Sequence, residues 1–250
     1  CFANPGTSEM HFVAALDRQP RMRCVLGLFE GVVTGAADGY ARMADRPAVT
    51  LLHTGPGLAN GLANLHNARR AQTPMVNVVG DHATYHLVHD APLTSDIVSL
   101  ARPMSDWIGR AESAAAVGPR TEEAICAALT GAGGISTLIL PADAAWTEGS
   151  FPAPAIVAPP RRPLPDPMLL RAAAEALRNG RETTILVSGM ALRAPQLELL
   201  DRIAQKTGAR LLAQQANGRM ERGAGRIVLD RVPYVIDQAL ACFARTEQVI

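Results

Sequence analysis

Four short stretches of this 250-residue chain set polar side chains beside glycine or proline at the ends of apolar runs. Glu30 is the first. It follows Val25-Leu26-Gly27-Leu28-Phe29 and opens a segment containing Gly31, Gly35, Ala36, Ala37 and Gly39. An acid at a helix start is stabilised by the helix dipole, which is an ordinary structural role. An apolar strand end beside it would also take water away from the carboxyl, and a carboxyl in that setting can exchange a proton with a heterocycle. The small residues along the helix let a ligand or a second subunit come close.

The second stretch is His53-Thr54-Gly55-Pro56-Gly57-Leu58-Ala59-Asn60-Gly61, a glycine-rich turn between a strand and a helix. Its backbone N–H groups and helix N-terminus suit a phosphate or another polar ligand group. The turn approaches a dinucleotide fingerprint, with Asp81 ending the next strand where a ribose-binding acid would sit. The proline inside the turn, the histidine before it and the asparagine in the third-glycine region depart from that pattern. The third stretch, residues 81–90, holds His82, His86, His89 and Asp90. On a helix His82 and His86 would share a face and make a metal site with His89 or Asp90, whereas a pocket-lining loop needs no metal. The fourth, Asn4-Pro5-Gly6-Thr7-Ser8-Glu9, reads as a turn from a strand into a helix. Thr7 or Ser8 would cap that helix or face a ligand.

The elements needed to position these groups are legible in the pattern. Residues 23–29, 48–53, 75–80 and 137–140 read as buried strands, and residues 30–43, 58–72 and 121–129 as helices. This alternation predicts an α/β fold, a parallel sheet with helices on both faces, over residues 1–150. All four polar stretches then fall at carboxyl ends of strands, where they can share a cleft. Residues 151–167 are rich in proline and read as an extended linker. From 168 to 250 the alternation resumes, with helices at 168–178, 195–207 and 233–244 and strands at 184–187, 209–212 and 248–250, as in a second, incomplete α/β domain. Cys1-Phe2-Ala3 reads as the end of a strand already under way, and the last three residues as a strand just starting. Missing sequence is therefore expected at both ends.

Composition narrows the classes. With 48% hydrophobic and 19% charged residues and a formal net charge of +1, the chain is that of a globular protein. Its scattered arginines form no basic stripe for nucleic acid. No run approaches roughly 18 apolar residues, so no membrane span is expected. Cys1, Cys24, Cys126 and Cys242 are far apart in sequence and form no C-x-x-C pair, which argues against a zinc site or a disulfide scaffold and fits a reducing cytoplasm.

Taken together, Phe2-Ala3-Asn4-Pro5-Gly6-Thr7, Leu28-Phe29-Glu30-Gly31 with Ala37-Asp38-Gly39-Tyr40-Ala41-Arg42, and Gly55-Pro56-Gly57 with Asn60 resemble the pyrimidine-binding domain of thiamine diphosphate enzymes, of the acetolactate synthase and benzoylformate decarboxylase type. The resemblance covers residues 1–150, with 168–250 similar to part of the family's central domain. It implies that Glu30 is the activating glutamate, which bonds N1′ of the aminopyrimidine so that the cofactor's ylide can attack a 2-oxo acid. It implies that His53 is catalytic and substrate-facing, that Asn4, Pro5, Gly6 and Asn60 contact the cofactor, and that Thr7, or Ser8 beside it, faces the substrate. Val79-Gly80-Asp81 departs from the Gly-Gln pair usual in acetolactate synthases at that place, which favours a decarboxylase or carboligase for another 2-oxo acid. The family's Gly-Asp-Gly motif for diphosphate and Mg2+ does not occur in these residues. The resemblance therefore implies that thiamine diphosphate and Mg2+ are held elsewhere in a homodimer or homotetramer, and that this chain alone, without a metal site of its own, is inactive as a lyase or transferase. It leaves FAD open. A catalytically silent homologue serving as an interaction or regulatory subunit is the alternative.

Overall fold

The computed structural model describes residues 1–149, 160 and 163–250. The chain divides into two compact units, Cys1–Arg161 and Arg162–Ile250. Most of the proline-rich linker expected over 151–167 lies outside the described residues, and Pro167 already stands in the first turn of a helix.

The first unit is a six-stranded, all-parallel sheet built from β1 (Phe2–Asn4), β2 (Val25–Leu26), β3 (Ala48–Leu52), β4 (Met75–Asp81), β5 (Trp107–Arg110) and β6 (Ile135–Pro141), in the order β2-β1-β3-β4-β6-β5. Its helices are α1 (Met10–Asp17), α2 (Glu30–Ala44), α3 (Thr54–Arg70), α4 (Ile97–Ala101), α5 (Ala114–Leu129) and α6 (Ala142–Trp146). Successive strand residues point to opposite faces, so neighbours in sequence enter different cores. Leu52, Val79 and Ile139 pack with Val33, Ala37 and Ala41 of α2, Leu58 and Leu65 of α3 and Ile97 of α4. Leu51, Val78 and Leu138 pack on the other face with Phe12 and Val13 of α1, Ala124 and Ala128 of α5 and Ala144 of α6. Helices thus cover both faces, and the central strands β4 and β6 are buried along their whole length.

Several boundaries differ from the sequence expectation. The strand expected over 23–29 pairs only at Val25 and Leu26, because it is an edge strand whose last ladder bond, Gly27 N–H to the Ala3 carbonyl, is followed at once by the turn into α2. α3 starts at Thr54 and takes in Gly55-Pro56-Gly57, since a proline in the first turn forfeits no intrahelical hydrogen bond. α5 starts at Ala114 and runs through Pro119. β5, a four-residue edge strand, carried too little pattern to be foreseen.

The second unit has a four-stranded parallel sheet, order β10-β7-β8-β9, from β7 (Thr183–Val187), β8 (Arg210–Ala213), β9 (Asp230–Arg231) and β10 (Gln248–Val249). With it go α7 (Pro167–Ala176), α8 (Ala194–Thr207) and α9 (Ile236–Phe243). Its core joins Ile185, Val187, Leu192, Leu197, Ala213 and Leu229. Among the described residues no helix is long and apolar enough to cross a membrane.

Candidate functional site

In the first sheet the chain steps from β1 outward to β2 and then returns to lay β3 on the other side of β1. The segment after β1 enters α1 on one face, and the segment after β3 enters α3 on the other. The two connections diverge, and a crevice at the carboxyl ends of β1 and β3 follows from the strand order alone. Asn4 ends β1 opposite Leu52 of β3, so the turn that begins with Pro5 and Gly6 and the turn at His53 face one another across it.

The closest contact there joins an acid and an imidazole. Nδ1 of His53 lies 2.8 Å from Oε2 of Glu9, and the same oxygen accepts the Gly6 N–H at 2.7 Å. The Glu9 side chain is wholly buried and that of His53 is 23% exposed. Two glycines make room for the pair. A side chain on Gly6 would collide with the His53 ring, and one on Gly80, at the end of β4, would occupy the space of the Glu9 carboxylate. Oε1 of Glu9 is buried without a hydrogen-bond partner. With a carboxylate against Nδ1, that nitrogen carries the proton, and Nε2 is left to exchange one with a ligand. Nothing in the sequence alone marks Glu9 as a site residue. A glutamate three residues after Gly6 reads as part of a helix start, and its pairing with His53 spans 44 positions. The Thr7 or Ser8 cap is not formed, because Glu9 itself takes the Gly6 N–H and Thr7–Glu9 is a 3-10 turn.

Thr54, directly after His53, has φ 49°, a left-handed conformation that is unusual for a β-branched residue. It is fully buried and its hydroxyl has no partner. Such backbone is retained when the surroundings over-determine it. Here they do: His53 is tied to Glu9 on one side, and on the other Gly55 lies bare against Ser95 at the first turn of α3.

Glu30 is the first residue of α2 and is half-buried. Asn60 Nδ2 donates to its Oε2 at 3.0 Å, and a Cβ on Gly57 would lie 3.3 Å from Oε1, so the carboxylate stands over the bare first turns of α3. The two helices approach closely because Thr34 donates to the Gly61 carbonyl and Asn64 to that of Gly31. Desolvation by the strand end, expected from sequence, is not seen. Leu28 is 89% and Phe29 50% exposed, because the chain turns outward there and Phe29 lies over Gly31 instead. Asp38 and Arg42 of the same helix are structural: Asp38 accepts Nε and Nη2 of Arg42 and the Thr73 hydroxyl, fastening α2 to the start of β4.

Of the remaining expected residues, Asn4, Pro5 and Gly6 line the crevice as a turn, while Thr7 is exposed. His86 and His89 lie on a 3-10 turn, Thr84–His89, and His82 just before it; the rings meet edge-on from His82 to His86 and tilted from His86 to His89, with centroids 5.7 and 5.5 Å apart. Among the described residues no group of three His, Cys, Asp or Glu side chains is placed to hold a metal ion. Asp81 faces Arg110 in an ion pair at 2.7 Å and is buried, which occupies the acid that the dinucleotide reading required. Asp143 holds the histidine turn in place through the Thr84 N–H and hydroxyl. Desolvation raises its pKa, but hydrogen bonds from the Thr84 hydroxyl and N–H and from the backbone N–H groups of Asp143 and Ala144 together outweigh it and leave the carboxyl below its ordinary value.

Comparison with known proteins gives this architecture a class. Residues 1–100 match the family model described as thiamine pyrophosphate enzyme, N-terminal TPP binding domain. Residues 1–100 thus carry the N-terminal domain of the thiamine pyrophosphate-dependent enzymes, and the chain's relatives and structural neighbours bear names from the same family. Among curated relatives, the provisionally named acetolactate synthase large subunit IlvX of Mycobacterium tuberculosis is 55% identical over 241 residues, 96% of this chain and 46% of the relative. Benzoylformate decarboxylase of Pseudomonas aeruginosa is 36% identical over 107 residues, 42% of this chain and 20% of that enzyme. An X-ray structure of a provisionally assigned thiamin diphosphate-dependent enzyme from Mycobacterium smegmatis superposes with a TM-score of 0.88 at 25% identity, over 99% of this chain and 48% of that one. The chain thus spans half or less of the length of these relatives.

Proposed function

We propose that this chain supplies the pyrimidine-side half of the active site in a thiamine diphosphate-dependent enzyme that decarboxylates or ligates a 2-oxo acid. The observation that carries the reading is the placing of Glu30 over the glycine-bare first turns of α3, held by Asn60, in a chain whose relatives carry acetolactate synthase and benzoylformate decarboxylase names. A Cβ on Gly57 would lie 3.3 Å from Oε1 of this half-buried carboxylate, so the bare glycine leaves that oxygen uncrowded on the side of α3. Glu30 would hold the cofactor's pyrimidine with Asn60 steadying its carboxylate, and Asn4, Pro5 and Gly6 would line the crevice beside it. When bound, thiamine diphosphate supplies the electron sink for the chemistry at the 2-oxo carbon. His53, oriented by Glu9, would hold or move a proton at Nε2 on the substrate side, with Thr7 at the rim. Mg2+ and the diphosphate would be held by protein outside these residues, in a homodimer or homotetramer working in the cytoplasm.

Isothermal titration of the full-length protein with thiamine diphosphate and Mg2+ tests this, and absence of binding by folded protein counts against it. A second reading, a silent homologue serving as an interaction subunit, is favoured by the exposed apolar side chains Leu26, Leu28, Phe29 and Val32 around the start of α2. Glu30→Gln separates the two: turnover falls by at least about a hundredfold with assembly preserved if Glu30 handles the proton, while an unchanged rate refutes that role.

A further inference from the structure

The ladder between β1 and β2 continues one step before its first assigned pair. The backbone nitrogen of Cys1 donates to the Arg23 carbonyl at 2.8 Å, and the Val25 N–H donates to the Cys1 carbonyl at 2.9 Å. In a parallel ladder these two bonds bracket the residue that stands opposite, here Cys24. The register agrees, since Phe2 faces Val25 and Ala3 faces Leu26. Two cysteines 23 positions apart in the sequence are thus direct cross-strand neighbours whose side chains leave the same face of the sheet. Neighbouring strands run about 4.8 Å apart, inside the Cα range of roughly 4.4–6.8 Å that a disulfide spans. Both thiols are free; Cys24 is exposed and Cys1 half-buried. Cys126 and Cys242 lie on separate elements, α5 and α9.

We propose that Cys1 and Cys24 form a reversible disulfide that staples the edge strand β2 to β1. With a small-molecule disulfide such as oxidised glutathione as the oxidant, the Cys24 thiolate attacks one of its sulfurs and expels one reduced glutathione. The Cys1 thiolate then attacks the Cys24 sulfur of the mixed disulfide and expels the second, so that two thiols lose two protons and two electrons and one S–S bond forms. The ring closed in this way contains the turn that holds Glu9, and it ends one residue before β2. Only Val25 and Leu26 of that strand pair with β1, and the chain then runs through Gly27, Leu28 and Phe29 into Glu30. The bond therefore restrains the approach to both carboxylates of the candidate site, whether or not the site binds thiamine diphosphate.

The test uses the full chain carrying Cys126→Ser and Cys242→Ser, equilibrated with oxidised and reduced glutathione. Intact mass should fall by two hydrogens with no thiol left to alkylate, and peptide mapping should join Cys1 to Cys24. Amide exchange at Val25 and Gly27 should slow by about tenfold or more on oxidation. Accumulation of chains bearing glutathione on both cysteines, Cys24-linked dimers, or two thiols still free under excess oxidised glutathione would each overturn the proposal. Unchanged exchange in the bridged chain would overturn its role as a staple.

Discussion

Glu9→Gln is the most informative single change, because the carboxylate does three things in one buried place. Its Oε2 accepts the Gly6 N–H at 2.7 Å and the His53 Nδ1–H at 2.8 Å, and its Oε1 lies unpartnered over the bare Cα of Gly80. An amide that keeps its oxygen at the Oε2 position puts an NH2 group where no acceptor exists. The flipped amide points donors at the Gly6 N–H and the imidazole. Either arrangement leaves a buried polar group unsatisfied, at about 1–3 kcal/mol, and turns two charge-assisted hydrogen bonds into ordinary ones, roughly 1 kcal/mol more. A loss of about 2–4 kcal/mol in a unit of this size lowers the melting temperature by on the order of 10 °C. The carboxylate also orients the imidazole by accepting from Nδ1, and losing about 1–2 kcal/mol of that hold slows a proton transfer at Nε2 by about tenfold. Differential scanning calorimetry and turnover of the full-length protein measure the two effects, and 15N shifts of the His53 ring report whether Nδ1 still carries the proton. A glutamine variant that melts within a degree or two of the parent, with its ring tautomer and rate unchanged, would refute the reasoning that Glu9 sets the state of His53.

Thr54→Val removes a buried hydroxyl that has no partner while keeping shape and branching, so the variant should be more stable by about 1–2 kcal/mol, read from the denaturant midpoint. Gly80→Ala places a methyl in the space of the Glu9 carboxylate and should cost about 1–3 kcal/mol together with the His53 tautomer, seen in the same calorimetry and 15N shifts. The tie between Asp143 and Thr84 should depend on pH in one direction. Because the folded carboxyl lies below its ordinary value of 3.8, the tie contributes fully above that value and is lost as pH falls through the lower folded one. Thr84 amide exchange, corrected for its intrinsic pH dependence, should be protected down to that window and lose protection below it, and Asp143→Asn should remove the transition.

Much of this architecture is legible in the sequence because β3, β4 and β6 are apolar runs bounded by breakers, and burial on both faces of a parallel sheet demands such runs. Glu30 is legible for the same reason, as the acid that follows an apolar stretch and precedes small residues at helical spacing. The environment of Glu30 was not. Whether Leu28 and Phe29 close over it depends on where an edge strand stops, and a ladder of two residues carries no periodic signal. Glu9 was hidden for a different reason: its partner is brought to it by the order of strands rather than by spacing along the chain. The glycines gave a partial hint, since Gly6, Gly57 and Gly80 all stand at strand ends or helix starts, but which side chain fills the room each one leaves is settled only by tertiary contact. The histidine group shows the opposite case. Its spacing suits a metal on an α-helix, and the 3-10 turn sets the rings edge-on and tilted against one another instead.

The acid and the imidazole are assembled from the ends of three adjacent strands: Glu9 follows β1, His53 follows β3, and Gly80 lies near the end of β4. A slip of one residue between any two of them would turn a side chain to the opposite face and dismantle the pair. Strand register in this sheet is therefore under two constraints at once, one from the apolar cores and one from the chemistry at its edge. Substitutions deep in β3 or β4 that a hydrophobic core would forgive can still part Glu9 from His53, so the pair can be lost through a change far from either residue.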